Sequence, residues 1–221
     1  MNVTLTHLGH DIDDNLGDMM NSIHRVHFGR YGIPCLPYEA CIDYDIQNVL
    51  GCATRDEAIA RLHNILGSEI VDDKELGSYN ATQEFRIHPF PQAREALTAL
   101  GTRYTQSLVT ARNLKICYTN TLKWAQVQFP EVQFEGIHFS YNVHARESGK
   151  PKWEICREQG IQLMTEDSWE NALQMAEHGI CVFLQERPWN KDKVHHPRVT
   201  YIRGGWDEIT QRLMKDPPQL A

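Results

Sequence analysis

The chain lacks three features that would assign it quickly to a class of protein. Its six cysteines include no C-x-x-C pair, and no histidine stands beside them at the spacing of a zinc site. No uninterrupted apolar run approaches the roughly 18 residues that a membrane span requires. Lysine and arginine are scattered and total 22, against 29 acidic residues. These three absences argue, in turn, against a zinc-binding domain, against a membrane as partner and against a nucleic-acid polymer as partner.

The N-terminus also lacks the pattern of a secretory signal. Residues 1–20 contain Asp11, Asp13, Asp14 and Asp18, and no apolar core flanked by basic residues. The sequence therefore predicts a cytoplasmic protein whose cysteines are reduced and mostly pack in its interior. With 221 residues, of which 41% are apolar, the chain is long enough for one large α/β domain with an insertion, or for two small domains.

The pattern of apolar residues decides between these two organisations. A first β-strand ends at about His10, and residues 18–88 then show helical spacing without a clear strand. From residue 89 onward, short apolar runs alternate with amphipathic helices, which is typical of a parallel sheet. We predict strands at 105–110, 137–141, 161–165, 181–184 and 199–202, and helices at 92–100, 113–128, 152–159, 168–178 and 206–214. The expected fold class is α/β: residues 1–17 and 89–221 form a Rossmann-like core, and residues 18–88 form a small helical cap inserted after the first strand.

Polar residues follow several of the predicted strands at the point where each strand ends. These are Asp11 and Asp13 after the first strand, Thr110 with Ala111 and Arg112, and Glu166 with Asp167 and Ser168; Lys150 and Lys152 stand at a helix start. Ligands of open α/β sheets bind outside the carboxyl ends of the strands. We therefore expect these side chains to meet at one edge of the sheet.

The same residue types meet the requirements of phosphoryl transfer. Asp11 and Asp13 would project similarly from extended backbone, so that one can attack phosphorus while the other handles the proton of the leaving group. A carboxylate is repelled by a phosphate dianion, and Mg²⁺ held by Asp11, a backbone carbonyl and Asp167 would cancel that repulsion. Lys152 adds positive charge, and the Thr110 hydroxyl can donate to a phosphoryl oxygen.

Each of these residues has an ordinary structural interpretation when it is taken alone. Paired aspartates often cap turns, a threonine can end a strand, and lysines at a helix start are usually solvated. Asp167 or Ser168 could be a helix N-cap. The ordered combination of Asp, Thr, Lys and Asp, each at a strand end or helix start, favours catalysis over a set of independent coincidences.

In this order the motifs resemble those of the haloacid-dehalogenase-like (HAD) hydrolases. The four motifs correspond to Asp11-Ile12-Asp13, Thr110, Lys152 and Glu166-Asp167. The resemblance covers nearly the whole chain and is closest to the deoxyribonucleotidase-like branch, on residues 108–112, 152–156, 166–168, Pro188-Trp189-Asn190 and 206–209.

The resemblance implies a role for each motif. Asp11 would be the nucleophile that forms an aspartyl-phosphate, and Asp13 would protonate the leaving oxygen and then activate water. Asp11, Asp167 and the main-chain carbonyl of Asp13 would hold Mg²⁺. The substrate would be a small phosphorylated molecule, with a 5′-nucleotidase acting on (deoxy)nucleoside monophosphates as the best guess, and a homodimer is left open. The residues expected to bind substrate are Thr110, Ala111, Arg112 and Lys152.

Several points stay open at the level of the sequence. Asp14-Asn15 departs from the family pattern and could strengthen metal binding or oppose phosphate. Lys152 is preferred over Lys150 as the third-motif lysine, because the residues after it match the branch. Arg112 could contact phosphate or form a surface salt bridge, and Trp189 could line a pocket or plug a turn. Alternative functions are a catalytically weak module that binds phosphate or metal, and a receiver-like signalling domain that is phosphorylated on aspartate. The length, the insertion and the late acidic motif argue against a receiver.

Overall fold

A computed structural model describes residues 5–43, 45–67, 87–141, 149–191, 193, 195–215 and 217–218 of the chain. Six parallel strands form one sheet in the order β3-β2-β1-β4-β5-β6. The strands are β1 (Thr6–His10), β2 (Tyr104–Thr110), β3 (Phe134–Phe139), β4 (Ile161–Glu166), β5 (Cys181–Gln185) and β6 (Val199–Ile202). This arrangement confirms the predicted Rossmann-like α/β fold.

Helices follow the strands in the alternation that a parallel sheet requires. In chain order they are α1 (Met19–Tyr31), α2 (Ile46–Val49), α3 (Arg55–Gly67), α4 (Ala93–Leu100), α5 (Leu114–Gln128), α6 (Lys152–Glu158), α7 (Trp169–Glu177) and α8 (Gly205–Lys215). Within the described residues, short 3-10 helices occupy Tyr38–Ala40 and Pro188–Asn190. None of the described helices combines the length and apolarity needed to cross a membrane.

The core lies in two layers, one on each face of the sheet. On one face, α4, α5 and α8 contribute Leu97, Trp124 and Trp206. On the other face, α6 and α7 contribute Ile155 and Met175. Because helices cover both faces, the central strands are almost continuously buried, and β5 is buried at every position.

The predicted strands and helices of the core agree with the structure to within one or two residues, except at β3. We predicted that strand at 137–141, whereas it runs from Phe134 to Phe139. Gly136 interrupts the apolar run of this strand, and glycine is unfavourable inside strands, so the predicted strand begins after it. In the structure Gly136 is paired with Ser107 of β2, so the glycine lies inside the strand.

The chain leaves the core after Leu16 and returns to it at Pro89, and these two crossings are joined. Phe90 N donates to Leu16 O at 2.8 Å, and Asp18 N donates to His88 O at 2.9 Å. A β-carbon on Gly17 would lie 2.4 Å from Ile87, so only glycine fits this close approach. The boundaries predicted after 17 and before 89 fall at this crossing. A separately acting cap over 18–88 stays a prediction.

Candidate active site

The site residues lie where the strand order reverses, between β1 and β4. Asp11 follows β1 directly, Thr110 ends the neighbouring β2, Glu166 ends β4, and Lys152 begins α6. The amide of Asp11 donates to Thr165 O at 3.0 Å, which fixes the start of the loop against β4. The fold thus brings side chains from four distant parts of the sequence to one edge of the sheet.

Asp11, Lys152, Glu166 and Asp167 form a buried group that we call the charged cluster. Lys152 Nζ lies 2.6 Å from Asp11 Oδ1 and 2.8 Å from Glu166 Oε2. Carboxylate oxygens of Asp11, Glu166 and Asp167 all lie within 4.8 Å of one another. No member is more than 5% exposed. One lysine faces three carboxylates, so the ionised cluster carries two surplus negative charges.

The pKa values in the cluster reflect this surplus. Burial raises the pKa of Asp11 to about 7, with Lys152 acting against it and the charges of Glu166 and Asp13 adding to it. Burial, together with the nearby carboxylates of Asp11 and Glu166, raises the pKa of Asp167 well above its usual range. For Lys152, burial acts to lower the pKa, but the charges of Asp11 and Glu166 outweigh it and raise the pKa.

The donor set of the cluster suits a divalent cation. Its ligands would be hard carboxylate oxygens, which Mg²⁺ prefers. Its surplus negative charge is buried without a compensating positive partner among the described residues, which is costly unless an ion neutralises it. Asp11 and Asp167 both offer carboxylate oxygens, and both belong to the group that carries the surplus negative charge. The residues present therefore fit the predicted Mg²⁺ site.

Glu166 was placed in the fourth motif beside Asp167 but was given no catalytic, metal-binding or substrate-binding role. Both of its oxygens are engaged: Lys152 Nζ donates to it, and Asn171 Nδ2 donates to Oε1 at 3.0 Å. Ser168 N adds a longer bond of 3.4 Å. Glu166 therefore holds Lys152 against Asp11 and has little capacity left for a cation.

Lys150 lies outside the charged cluster. Its side chain is about half exposed and pairs with Glu154, at 3.7 Å, and with Glu158 on the surface of α6. Of the two candidate lysines, Lys152 is the one in contact with Asp11.

Asp13 and Arg112 form a second ion pair beside the cluster. Arg112 Nε lies 3.0 and 2.9 Å from the two oxygens of Asp13, and Nη2 lies 2.7 Å from Oδ1. The Arg112 side chain is 1% exposed, so this salt bridge is interior and not on the surface. The carboxylate of Asp13 is not among the three that approach one another. In this arrangement Arg112 binds Asp13, and any acid–base role of Asp13 requires that the pair open.

Thr110 is fully buried at the end of β2. Its Oγ1 accepts a hydrogen bond of 3.2 Å from Arg112 N, and its carbonyl accepts one of 2.8 Å from Ser140 N. No described residue accepts the hydroxyl proton of Thr110, which leaves it available to a ligand. Ala111 follows at a half-buried position.

Next to the charged cluster lies a second set of buried polar side chains, which we call the neutral network: His10, Asn15, Gln106, Thr165 and Gln185. His10 binds Thr165 Oγ1 through Nδ1 and Gln106 Oε1 through Nε2, both at 3.0 Å. Burial lowers the pKa of His10 to about 4, so the ring is neutral at physiological pH. Asn15 Nδ2 donates to Thr165 Oγ1 at 2.8 Å, and its Oδ1 accepts from Gln185 Nε2 at 2.7 Å.

This network explains one departure from the family pattern. Asn15 Nδ2 also donates to Asp11 O at 2.9 Å and so anchors the main chain of the predicted nucleophile. Asp14 has a φ of 57°, and its Oδ1 accepts from Met20 N at 2.8 Å. Its carboxylate therefore lies at the N-terminus of α1, where negative charge is favourable. Both residues shape the loop after Asp11.

A turn after β5, residues 187–190, contacts Asp167 through two hydrogen bonds. Trp189 Nε1 donates to Asp167 Oδ2 at 3.0 Å, and Asn190 Nδ2 donates to Asp167 O at 2.6 Å. Residues 18–67, which contain α1 to α3, are called the helical segment. Tyr38 of this segment packs edge-on against Trp189 with ring centroids 5.7 Å apart. Trp189 is thus a buried turn residue that also binds a predicted metal ligand. The order Pro188-Trp189-Asn190 after a strand was the only sequence signal of this contact.

A cavity of about 400 Å³ opens beside this turn. Its walls come from the helical segment, from the turn and from the residues just after the turn, and are formed by Glu39, Ile42, Pro188, Lys191 and Lys193. The space therefore lies between the two parts of the chain that meet at Tyr38 and Trp189.

Solved structures of HAD-superfamily hydrolases share this fold. A haloacid dehalogenase-like hydrolase from Streptococcus pneumoniae aligns with a TM-score of 0.63 at 16% identity, over 95% of this chain and 98% of its own. An L-2-haloacid dehalogenase from Xanthobacter autotrophicus with covalently bound chloropropionic acid gives 0.58 at 12% identity, over 96% and 100%. A HAD-hydrolase from Bacillus subtilis bound to magnesium gives 0.55 at 18%, over 96% and 99%. No protein-family model and no curated protein matches the sequence. The deoxyribonucleotidase-like branch stays a prediction.

Proposed function

We propose that this chain is a magnesium-dependent phosphomonoester hydrolase that acts through an aspartyl-phosphate on Asp11. The observation that carries the proposal is the charged cluster. A buried carboxylate at the carboxyl edge of the sheet is held 2.6 Å from a lysine, beside two further carboxylates. Buried groups with perturbed pKa values and a specific charged partner are typical of active sites.

The residues divide the chemistry among them. An Asp11 oxygen attacks phosphorus, the bond from phosphorus to the leaving oxygen breaks, and that oxygen takes a proton from Asp13. Water then loses a proton to Asp13 and attacks phosphorus, which releases phosphate and restores the Asp11 carboxylate. Lys152 and the Thr110 hydroxyl offer donors to the phosphoryl oxygens. Bound Mg²⁺ would supply positive charge that offsets the repulsion between Asp11 and the phosphate.

The ion pair of Asp13 adds one requirement to this scheme. In the structure, Arg112 donates hydrogen bonds to both carboxylate oxygens of Asp13. Before Asp13 can carry a proton toward a leaving group, its carboxylate must turn away from the guanidinium. The buried position of Arg112 favours rotation of Asp13, whose side chain is 16% exposed, over movement of the arginine.

Charge favours phosphate over a haloacid as substrate. A HAD-fold neighbour, an L-2-haloacid dehalogenase, holds chloropropionic acid covalently, so dehalogenase chemistry is the alternative on this fold. The two surplus negative charges of the cluster, however, call for a divalent cation. A cation beside the nucleophile assists attack on a phosphate dianion more than attack on a singly charged haloacid, since the repulsion to be offset is larger.

The preferred substrate class is a nucleoside monophosphate, which makes the activity that of a 5′-nucleotidase. This choice follows the resemblance of the motifs to the deoxyribonucleotidase-like branch. The cavity beside Tyr38 and Trp189, of about 400 Å³, lies within the roughly 300–1,000 Å³ of small-molecule sites, which suits a small substrate without selecting a nucleotide. With this activity we also propose a cytoplasmic location and a small phosphorylated partner in place of a nucleic-acid polymer or a membrane.

Phosphate release by the purified protein tests the proposal. The panel contains (deoxy)nucleoside monophosphates, sugar phosphates and 2-chloropropionate, with and without Mg²⁺. We expect Mg²⁺-dependent phosphate release that falls at least ~10³-fold in Asp11→Asn. Asp207→Asn, at an exposed carboxylate on α8, should retain full activity.

The other outcomes are distinct. Full activity in Asp11→Asn would end its assignment as nucleophile, and chloride release without phosphate release would replace phosphatase by dehalogenase chemistry. A long-lived phosphoprotein with slow turnover would indicate a signalling domain. No release from any substrate would favour a binding module.

A further inference from the structure

Asp167 is held from two directions by the turn after β5. The indole of Trp189 donates to Oδ2 of its side chain at 3.0 Å, while the amide of Asn190 donates to its main-chain oxygen at 2.6 Å. Asn190 also donates to Gln185 O at 2.7 Å, which ties the turn to the end of β5. Trp189 is 5% exposed and Asn190 is fully buried. Both the backbone and one carboxylate oxygen of Asp167 are therefore fixed.

The second carboxylate oxygen of Asp167 is in a different situation. Within the part of the chain that the structure describes, Oδ1 has no hydrogen-bond donor. The residue is 5% exposed and lies beside the carboxylates of Asp11 and Glu166. Oδ1 is not among the fully buried atoms that lack a hydrogen-bond partner, so this oxygen keeps an opening to solvent through which an ion can reach it. Fixing Oδ2 therefore determines where Oδ1 is presented.

We propose that Trp189 is a positioning residue for Asp167 in the Mg²⁺ site. Its indole N–H selects the orientation of the carboxylate in which one oxygen is satisfied by protein and the other is left for the ion. Hydrogen bonds of this kind, from outside the ligand set, orient ligands and raise metal affinity. The inference rests on the proposed function, because the proposed hydrolase supplies the reason for a cation at Asp167.

Two other buried indoles show why this contact is more than ordinary core satisfaction. Trp124 Nε1 donates to Ile87 O at 2.8 Å, and Trp206 Nε1 donates to Asn15 O at 3.1 Å. Both acceptors are main-chain carbonyls. Trp189 instead donates to a carboxylate, and a bond to an ionised acceptor is roughly twice as strong as a neutral one.

Tyr38 packs against the ring of Trp189. The two rings meet edge to face, and Tyr38 belongs to the first 3-10 helix of the helical segment. The position of the indole is thus set by the turn on one side and by the helical segment on the other. Pro188, at the first position of the turn's 3-10 helix, further limits its backbone freedom.

Isothermal titration of substrate-free protein with Mg²⁺ tests the inference directly. We expect Trp189→Phe, which keeps a ring but lacks the N–H, to raise the Kd for Mg²⁺ by about 10–100-fold. The Mg²⁺ concentration for half-maximal phosphate release should rise in parallel, while kcat at saturating Mg²⁺ changes by less than about threefold. Trp124→Phe is the matched control: it also loses a buried indole bond, and its Kd for Mg²⁺ should be that of the wild type.

A second substitution separates the N–H group from the volume of the ring. Trp189→His leaves a larger packing defect than Trp189→Phe but retains a ring N–H donor. We expect it to lower the melting temperature more and to bind Mg²⁺ more tightly than Trp189→Phe. The reverse order of Mg²⁺ affinities would overturn the inference, because affinity would then follow packing alone.

The remaining results also decide the matter. Equal Kd values in the wild type and Trp189→Phe would overturn the positioning role and leave the proposed function intact. Equal losses in Trp189→Phe and Trp124→Phe would assign the effect to general destabilisation, which also overturns it. A wild-type protein that binds no Mg²⁺ would overturn the metal requirement of the proposed function, and this inference with it.

Discussion

The charged cluster and the neutral network are neighbours at the same edge of the sheet, and both are buried, yet they are satisfied in different ways. In the neutral network every partner comes from the chain: His10, for example, has one acceptor and one donor, both at 3.0 Å. In the charged cluster Lys152 serves two carboxylates, while Asp167 keeps an oxygen without a donor among the described residues. The first arrangement is complete in the folded protein, and the second is complete only with an added positive charge.

The neutral network stabilises the arrangement of the strands, whereas the charged cluster is suited to binding a cation. A satisfied polar network inside a protein fixes one arrangement of the strands around it. It does so here by holding β1, β2, β4 and β5 together through His10, Gln106, Thr165 and Gln185. The charged cluster, with its surplus of carboxylates, costs free energy in the absence of a cation. Asn15 of the network donates to the main-chain oxygen of Asp11. The network therefore holds in place the loop that carries Asp11 into the cluster.

Lys152→Met should give the largest effect, because it removes the only positive charge in the cluster. We expect the free energy of unfolding to fall by about 3–5 kcal/mol, since buried Asp11 and Glu166 would lose their partner. Activity should fall at least ~100-fold with the loss of a donor to the phosphoryl group. Urea unfolding and phosphate release measure the two effects.

Lys150→Met is the control for that substitution. Lys150 pairs with Glu154 and Glu158 in water, where ion pairs contribute little. Both unfolding and activity should stay close to the wild type. If Lys150→Met proved to be the inactive variant, the charged cluster would lose its assignment as the active site.

The neutral network should respond to pH through His10. Its pKa falls from 6.5 to about 4 on folding, because burial penalises the charged ring. Above pH 6.5 the ring is neutral in both states and adds no pH dependence. As the pH falls through 6.5 toward 4, the unfolded chain binds a proton that the folded chain does not, so stability is lost. The total loss should be about 3 kcal/mol.

The buried carboxylates titrate in the same range with the opposite sign, so a comparison with His10→Gln is needed. Glutamine offers both a donor and an acceptor to the network without titrating. Urea unfolding of both proteins between neutral pH and pH 4 gives the difference due to His10. Parallel stability curves would show that the histidine is not the buried neutral ring described here.

The charged cluster could be predicted from the sequence, whereas the neutral network could not. Asp11, Thr110, Lys152 and Asp167 follow strand ends or begin helices, and a parallel sheet collects such positions at one edge. Gln106 and Thr165 lie inside strands, where nothing in the local pattern separates a network member from an ordinary polar residue. Their meeting depends on strand register, which pairs His10 with Thr165 across β1 and β4.

The partners of the predicted residues were also beyond the sequence. Arg112 follows Thr110 and was expected at phosphate or in a surface salt bridge, but the direction of its side chain depends on the loop after β1. That loop brings Asp13 to within 2.7 Å of its guanidinium. In the same way, the contact of Trp189 with Asp167 depends on how the turn after β5 folds back over β4. Side-chain direction in loops follows tertiary structure more than local sequence.

Asp167→Asn should give the smallest change in stability. We expect it to stabilise the protein, whereas Lys152→Met and the acidification of His10 should destabilise it. The substitution keeps the shape of the side chain, retains an oxygen to accept from Trp189, and removes one surplus charge. In metal-free buffer we expect a gain of about 1 kcal/mol in the free energy of unfolding, because burial and the neighbouring carboxylates disfavour the charged side chain of Asp167. Mg²⁺ at 100 times its Kd should stabilise the wild type by about 2.7 kcal/mol and should stabilise Asp167→Asn far less. Chemical unfolding with Mg²⁺ or with a chelator measures both. A metal-free loss of stability in Asp167→Asn would mean that Asp167, like His10, is already satisfied by the chain itself, and the distinction between cluster and network would fail at that residue.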